Sequence, residues 1–378
     1  MDKTWISAAL GCLASLDMCS FAFGAASIAK LQSPFPESAT VTSISPDGSM
    51  AVGYIGRSPG PVAMKWNAAG GATNLGFANW ITAETVSNAG GTIAGWDQSV
   101  DSNYRDAYRW TSGTGKVSLG GIAGLQVDAR YDIPHDITPD GSVIVGEGQT
   151  PVINGKRAFR WTTATGAVSL GIPSGYLTTA ASGVSADGNV IVGLAIDSLG
   201  VGQAFRWTPG GGMQTLPAAP GGAQTNALGV SGDGLTTVGF LGGGPAGTNG
   251  FRWTQNGGYQ LLPDYDLDGE FVWPRAVNSD GSVIVGEDTP GSQATAVVWI
   301  NGQEHRVIDL LNAAGANTTG WILGDAVDVS ADGSTVVGTG SFNGGSTSYI
   351  AVLPEPGAGL LWVACFGVRF SLPKRRPD

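Results

Sequence analysis

Short runs of β-branched and small apolar residues alternate with polar turn residues along the chain, and the alternation itself recurs. The clearest unit is Val184-Ser185-Ala186-Asp187-Gly188-Asn189-Val190-Ile191-Val192-Gly193, followed by Ala204-Phe205-Arg206-Trp207-Thr208 and then by Gly211-Gly212-Met213-Gln214-Thr215-Leu216. Each run is too short for a helix, and its period of two fits a half-buried strand. The first half of the unit returns at Ser45, Thr138, Ser231, Ser279 and Ser330, with a degenerate copy, Ser87-Asn88-Ala89-Gly90, that lacks the aspartate. The closing glycines Gly53, Gly95, Gly146, Gly193, Gly239, Gly286 and Gly338 stand 42, 51, 47, 46, 47 and 52 residues apart. Trp66, Trp110, Trp161, Trp207, Trp253 and Trp299 keep the same step.

A period of this size means a propeller or a helical array. The Asp-Gly pairs read as hairpin turns between two strands, since they supply residues with φ > 0. The Phe-Arg-Trp run makes a third strand, and a Gly-rich turn leads to a fourth. No segment inside the repeats shows a capped 3.6-residue pattern, and 61 glycines disfavour helices. The expected fold is all-β: a seven-bladed β-propeller of four-stranded blades over residues 27–352. The seventh unit, with a hairpin at 327–338 and a third strand at 349–352, lacks a fourth strand. Residues 28–32 before the first unit form an orphan strand. That N-terminal strand is expected to complete the last blade and close the ring, which removes both open edges.

Composition narrows the function. The net charge is −11, and charged residues make up 13% of the chain. A nucleic-acid partner is excluded on this balance, because phosphate binding needs a basic face. Cys12, Cys19 and Cys365 all lie in the terminal segments, so the repeats carry neither a disulfide framework nor a thiol nucleophile. Residues 1–26 have the order of a secretory signal peptide: Lys3, an apolar run at 5–16 broken by Asp17, then small residues at Gly24-Ala25-Ala26. This predicts handling by signal peptidase and export.

Pro354-Glu355-Pro356, an apolar run at 357–368 and the basic end Lys374-Arg375-Arg376 resemble the PEP-CTERM sorting signal of Gram-negative bacteria. The resemblance covers residues 353–378; Arg369 and Pro373 depart from its regular pattern. It implies recognition by an exosortase (a membrane-embedded transpeptidase), transient inner-membrane insertion through the tail, and a secreted or cell-surface location near extracellular polysaccharide. The competing reading is a plain C-terminal membrane anchor, although the apolar run is shorter than the roughly 20 residues that span a bilayer. Residues 40–352 also resemble HAF-type extracellular repeats. The matching triplets are Asp106-Ala107-Tyr108, Arg157-Ala158-Phe159, Gln203-Ala204-Phe205 and Asn249-Gly250-Phe251. None carries the family's histidine, and the family brings no established activity.

Candidate chemistry is sparse. Asp264, Asp266 and Asp268 with Gly269 match the start of an EF-hand-like calcium loop, yet Arg275 stands where the closing bidentate ligand belongs. Asp264-Tyr265-Asp266 is then either a calcium site or an acidic rim loop. Arg109, Arg160, Arg206 and Arg252 (Lys65 in unit one) either line a ligand channel or pair with the hairpin aspartates or backbone carbonyls of their own blades. The repeated tryptophans read as core. Trp80, Trp96, Trp273 and Trp321 lie off the repeat and are the aromatics suited to stacking on sugar rings. His135 and His305 are the only histidines, and no Gly-x-Ser-x-Gly or His-Glu-x-x-His occurs. The expected function is a non-catalytic propeller that binds extracellular polysaccharide. The alternative is a secreted carbohydrate-active enzyme with paired carboxylates at the propeller mouth.

Overall fold

A computed structural model describes residues 26–76, 80–98, 104–125, 131–150, 155–244, 247–264, 271–289 and 294–354. Seven four-stranded antiparallel sheets make up the ring, each with its strands in sequence order except the last. Blade 4 is representative: Tyr176–Val184, Ile191–Asp197, Gly202–Thr208 and Gly212–Thr215. The innermost strands of the others are Ala39–Ile44, Ile81–Val86, Ile133–Ile137, Gln224–Val230, Val272–Val277 and Trp321–Val329 in blades 1, 2, 3, 5, 6 and 7.

The expected closure is present. Ser27–Lys30 pairs antiparallel with Gly345–Val352, Ile28 opposite Ala351 and Ala29 opposite Ile350. The chain's first strand is therefore the outermost strand of blade 7. Leu31 behind it is fully buried, and Trp66 of blade 1 donates its indole N–H to the Gln32 carbonyl at 2.7 Å. Blade 7 is longer than the sequence pattern suggested: Thr335–Phe342 and Gly345–Val352 are joined through Asn343 and Gly344, both at positive φ.

The cores lie between blades. Val190, Val192 and Ala204 of blade 4 pack with Ala227, Val230, Phe251 and Trp253 of blade 5, and equivalent clusters follow around the ring. Trp66, Trp299, Phe159, Phe205 and Phe251 are almost completely buried, each contributing on the order of 2–3 kcal/mol of apolar transfer free energy. Their cross-strand partners include the repeated glycines: Phe205 faces Gly193 and Phe251 faces Gly239.

The Ser-x-Asp-Gly motif is a turn that holds itself. Ser185 Oγ donates to Asp187 Oδ1 (2.6 Å) and accepts the Val190 N–H (2.9 Å), while Asp187 Oδ1 accepts the Asn189 N–H (2.9 Å). The same bonds form around Asp47, Asp140, Asp233 and Asp332. The sequence pattern suggested a two-residue hairpin. The turn is a four-residue one instead, closed between Ser185 and Val190, in which the glycine carries the positive φ. The degenerate copy in blade 2 is served from outside: Asp47 of blade 1 accepts the Ala89 N–H at 2.8 Å.

Two expectations are corrected. The repeated arginines are absent from the channel wall, and the hairpin aspartates do not pair with them. Arg160 and Arg206 donate to the Gly188 and Gly234 carbonyls of the following blade, at 3.3 and 3.4 Å. Lys65 and Arg109 lie over Trp110 and Trp161, again one blade on. The second correction is a helix, Val307–Ala313, between blades 6 and 7. It buries Val307 and Leu311 one turn apart, and two turns are too few to show a period in sequence.

Candidate functional site

Every innermost strand carries a β-bulge at one position. The residues on either side of it pair with consecutive residues of the second strand, so one residue is left over: Thr42, Glu84, His135, Ser182, Leu228, Arg275 and Val327. The bulge tips a carbonyl onto the repeated glycine. A Cβ on Gly53, Gly95, Gly146, Gly193, Gly239, Gly286 or Gly338 would lie 1.9–2.1 Å from that oxygen. Only glycine fits there, which is why it recurs in all seven units.

The seven leftover residues line a central cavity of about 240 Å³ that runs toward the Asp-Gly turns. Repeats within one chain allow a comparison that needs no second sequence. The turn serine, the second-strand glycine and the third-strand tryptophan hardly vary between blades, whereas no two blades share a residue at the bulge. The backbone needs the bulge and tolerates any side chain on it. The side chains there are therefore free to serve binding.

Most bulge residues have a partner one strand out. Arg275 reaches Glu287 (3.2 Å) and also Asp325 of blade 7 (3.3 Å). Glu84 accepts from Thr82 Oγ1 at 2.7 Å and is bonded by the Trp96 indole. His135 lies near Glu147, which Lys156 holds at 2.5 Å. Burial raises the Glu84 carboxyl above its ordinary range, partly offset by Thr82, Trp96 and the Arg105 charge. Desolvation inside the channel lowers His135 from its ordinary value, partly offset by the Glu147 charge.

One layer nearer the turns, Asp136 and Asp328 join blades. Asp328 Oδ2 accepts Ser43 Oγ (2.8 Å) and the Ile44 N–H (2.9 Å) of blade 1, across the ring closure. Asp136 Oδ2 accepts the Val184 N–H of blade 4 at 2.8 Å. Each also accepts the N–H of the next residue in its own strand. Burial, helped by the Asp328 charge, pushes Asp136 up to about 7; burial also raises Asp328.

The four off-repeat tryptophans all stand at the end of the ring opposite the Asp-Gly turns, and all are half-buried. Trp80, at φ 71°, covers Gly60. Trp96 carries the Arg105 guanidinium at 4.0 Å, with Tyr131 4.5 Å from the same group. Trp273 packs on Phe240 at 4.6 Å, and Trp321 on Phe342 at 5.0 Å. Asp264 falls at the end of the described part of its loop; Asp266 and Asp268 lie outside the described residues, as do Glu355, Pro356, Lys374, Arg375 and Arg376 of the tail. Pro354 ends the last described segment. Among the described residues, no three acidic, histidine or cysteine side chains are placed to hold a metal, and no helix is long and apolar enough to cross a membrane.

The fold and the ring of bulge residues define a closed seven-bladed propeller with a polar channel. No family model and no curated protein matches the chain. Among solved structures it is similar to a prolyl endopeptidase (13% identity, TM-score 0.57, covering 85% of this chain and 51% of that one). It is likewise similar to puromycin hydrolase (14%, 0.54, 82% and 52%) and to the β-propeller domain of the Trilobed protease from Pyrococcus furiosus (10%, 0.56, 84% and 94%). The chain spans about half the length of the first two. At these identities the likeness is one of fold. That last propeller is described as open at its velcro, whereas here Ser27–Lys30 closes the ring.

Proposed function

We propose that this is a secreted or surface-displayed, non-catalytic propeller that binds extracellular polysaccharide at the channel mouth. The observation that carries the reading is the ring of seven differing bulge residues, a position the fold leaves free. The carboxylates behind that ring, Asp136 and Asp328, accept backbone N–H groups on both oxygens and serve the joints between blades, which leaves them poorly suited to general acid or nucleophile roles. The off-repeat aromatics, at the end of the ring opposite the Asp-Gly turns, supply apolar surface of the kind sugar rings cover. Export follows from the residue 1–26 pattern: cleavage after Ala26 leaves the closing strand Ser27–Lys30 intact. The tail pattern at 353–378 adds an exosortase as sorting partner.

The test is a pull-down of the protein against a panel of polysaccharides, with calcium and with chelator, each supernatant assayed for released sugar. Saturable binding without release is expected, weakened by Glu84→Gln and Arg275→Gln. Release of sugar that disappears in Asp136→Asn would replace this reading with the carbohydrate-active enzyme. Chelator-sensitive binding would add the Asp264, Asp266 and Asp268 loop to the site.

A further inference from the structure

Of the buried side-chain atoms in blades 5 to 7 without a hydrogen-bond partner among the described residues, four lie on the innermost strands: Asn226 Oδ1, Trp273 Nε1, Arg275 Nε and Asp325 Oδ1. Asn226, Trp273 and Asp325 occupy one equivalent position in three successive blades, two residues before the bulge. Folded proteins leave few buried polar atoms unpaired, so these four, on neighbouring inner strands, mark a patch that is short of partners. The patch is continuous. Phe240 packs on Trp273, the Arg275 guanidinium lies 5.4 Å from the Trp273 ring, and Arg275 Nη2 reaches Glu287 and Asp325. It also meets solvent: 37% of the Arg275 side chain and 15% of the Asp325 side chain are exposed. Contact with the four buried atoms requires the half-buried side chains to turn toward the solvent that Arg275 and Asp325 already meet.

Two of the four atoms donate and two accept. The single guanidinium already faces two carboxylates, so the patch is neutral to negative. A partner that donates and accepts through the same groups, carries no negative charge and offers a C–H face to an aromatic ring is a polyhydroxylated ring. We propose that the sector of Asn226, Phe240, Trp273, Arg275 and Asp325 is a subsite for one neutral sugar unit, its hydroxyls pairing with Asn226, Trp273, Arg275 and Asp325. Uronate sugars are disfavoured there, because Glu287 and Asp325 would repel their carboxylates. The inference rests on the polysaccharide reading and narrows it to uncharged glycans.

Calorimetry on the full-length protein with neutral hexose oligosaccharides and with uronic-acid oligosaccharides tests it. The wild type is expected to prefer the neutral set. Trp273→Phe, which keeps a ring but deletes the donor, and Asp325→Asn are each expected to weaken binding about fivefold to tenfold, the scale of one hydrogen bond. Melting curves identify any variant that fails to fold, and Glu287→Gln, which softens the charge without touching the four atoms, then substitutes for it, raising uronate affinity. Neutral-sugar binding that survives both substitutions unchanged overturns the subsite and leaves the binding propeller standing. A preference for uronates does the same. No binding of any glycan overturns the subsite together with the function it refines.

Discussion

Gly193 sits under the carbonyl of Ala180 so closely that a Cβ would come within 2.0 Å of the oxygen. The contact exists because Ser182 is the leftover residue of a bulge, and it recurs between Thr40 and Gly53, Asn226 and Gly239, and Asp325 and Gly338. One backbone device thus explains the most regular residue of the repeat and places the most variable one in the channel.

Gly193→Ala is expected to destabilise the protein by about 3 kcal/mol or more, because a backbone oxygen cannot step aside as a side chain can. Gly113→Ala, at a glycine with open space around it, is expected to stay within about 0.5 kcal/mol of the wild type. Denaturant melts of the two variants check this. Equal effects would show that the bulge carbonyl does not press on the glycine.

Ser185→Ala removes the acceptor of the buried Val190 N–H and the donor to Asp187 together. A loss of about 2 kcal/mol is expected, the cost of an unpaired buried N–H. Urea unfolding measures it. A loss below about 0.5 kcal/mol would mean that water reaches Val190 and that the turn does not depend on its serine.

The blade count, the strand order and the closing strand were legible because each rests on side-chain periodicity or on a shared spacing, as with Asp187, Trp207 and Ile28. The bulge was not legible. It is a backbone irregularity that any residue can occupy, so Glu84, His135 and Arg275 have no motif in common. A signal was nonetheless present: at the position three residues before each turn serine, threonine or asparagine, the aligned repeats disagree in every blade, while two residues further on every blade has valine or isoleucine. The helix Val307–Ala313 was hidden by its length. The backbone-carbonyl pairing of Arg160 and Arg206 was legible as an alternative, but the carbonyls, Gly188 and Gly234, lie one blade on, and a single repeat does not display its neighbour.

Removal of residues 27–33 would uncover the Gly345–Val352 edge, expose Leu31's site against Trp66 and leave the Trp66 indole without the Gln32 carbonyl. The melting midpoint is expected to fall by roughly 5–10 °C, with concentration-dependent association through the freed edge. Scanning calorimetry with light scattering at two protein concentrations reads both. An unchanged midpoint would mean that the ring is held by Asp328, Ser43 and Ile44 alone.

Stability should respond to pH in two windows of opposite sign. Asp140 and Asp187 have carboxyls lowered chiefly by their turn hydroxyls, so the stability they contribute is present above the ordinary aspartate range and lost as pH falls through their lowered values. Asp136 is raised by burial to about 7, so the folded state holds its proton more tightly than the unfolded chain does. Its contribution is full below about pH 4, the unfolded aspartate range, and is lost as pH rises toward 7. Glu304, pushed up to about 8 by burial and then by the charge of Asp288, extends the decline. The melting midpoint is therefore expected to peak in mildly acidic buffer and to fall toward pH 8. Asp136→Asn should flatten the slope between pH 4 and 7 whatever it does to the absolute midpoint. A variant slope equal to that of the wild type would mean that Asp136 ionises in the folded ring without penalty, its two backbone N–H bonds having outweighed its burial.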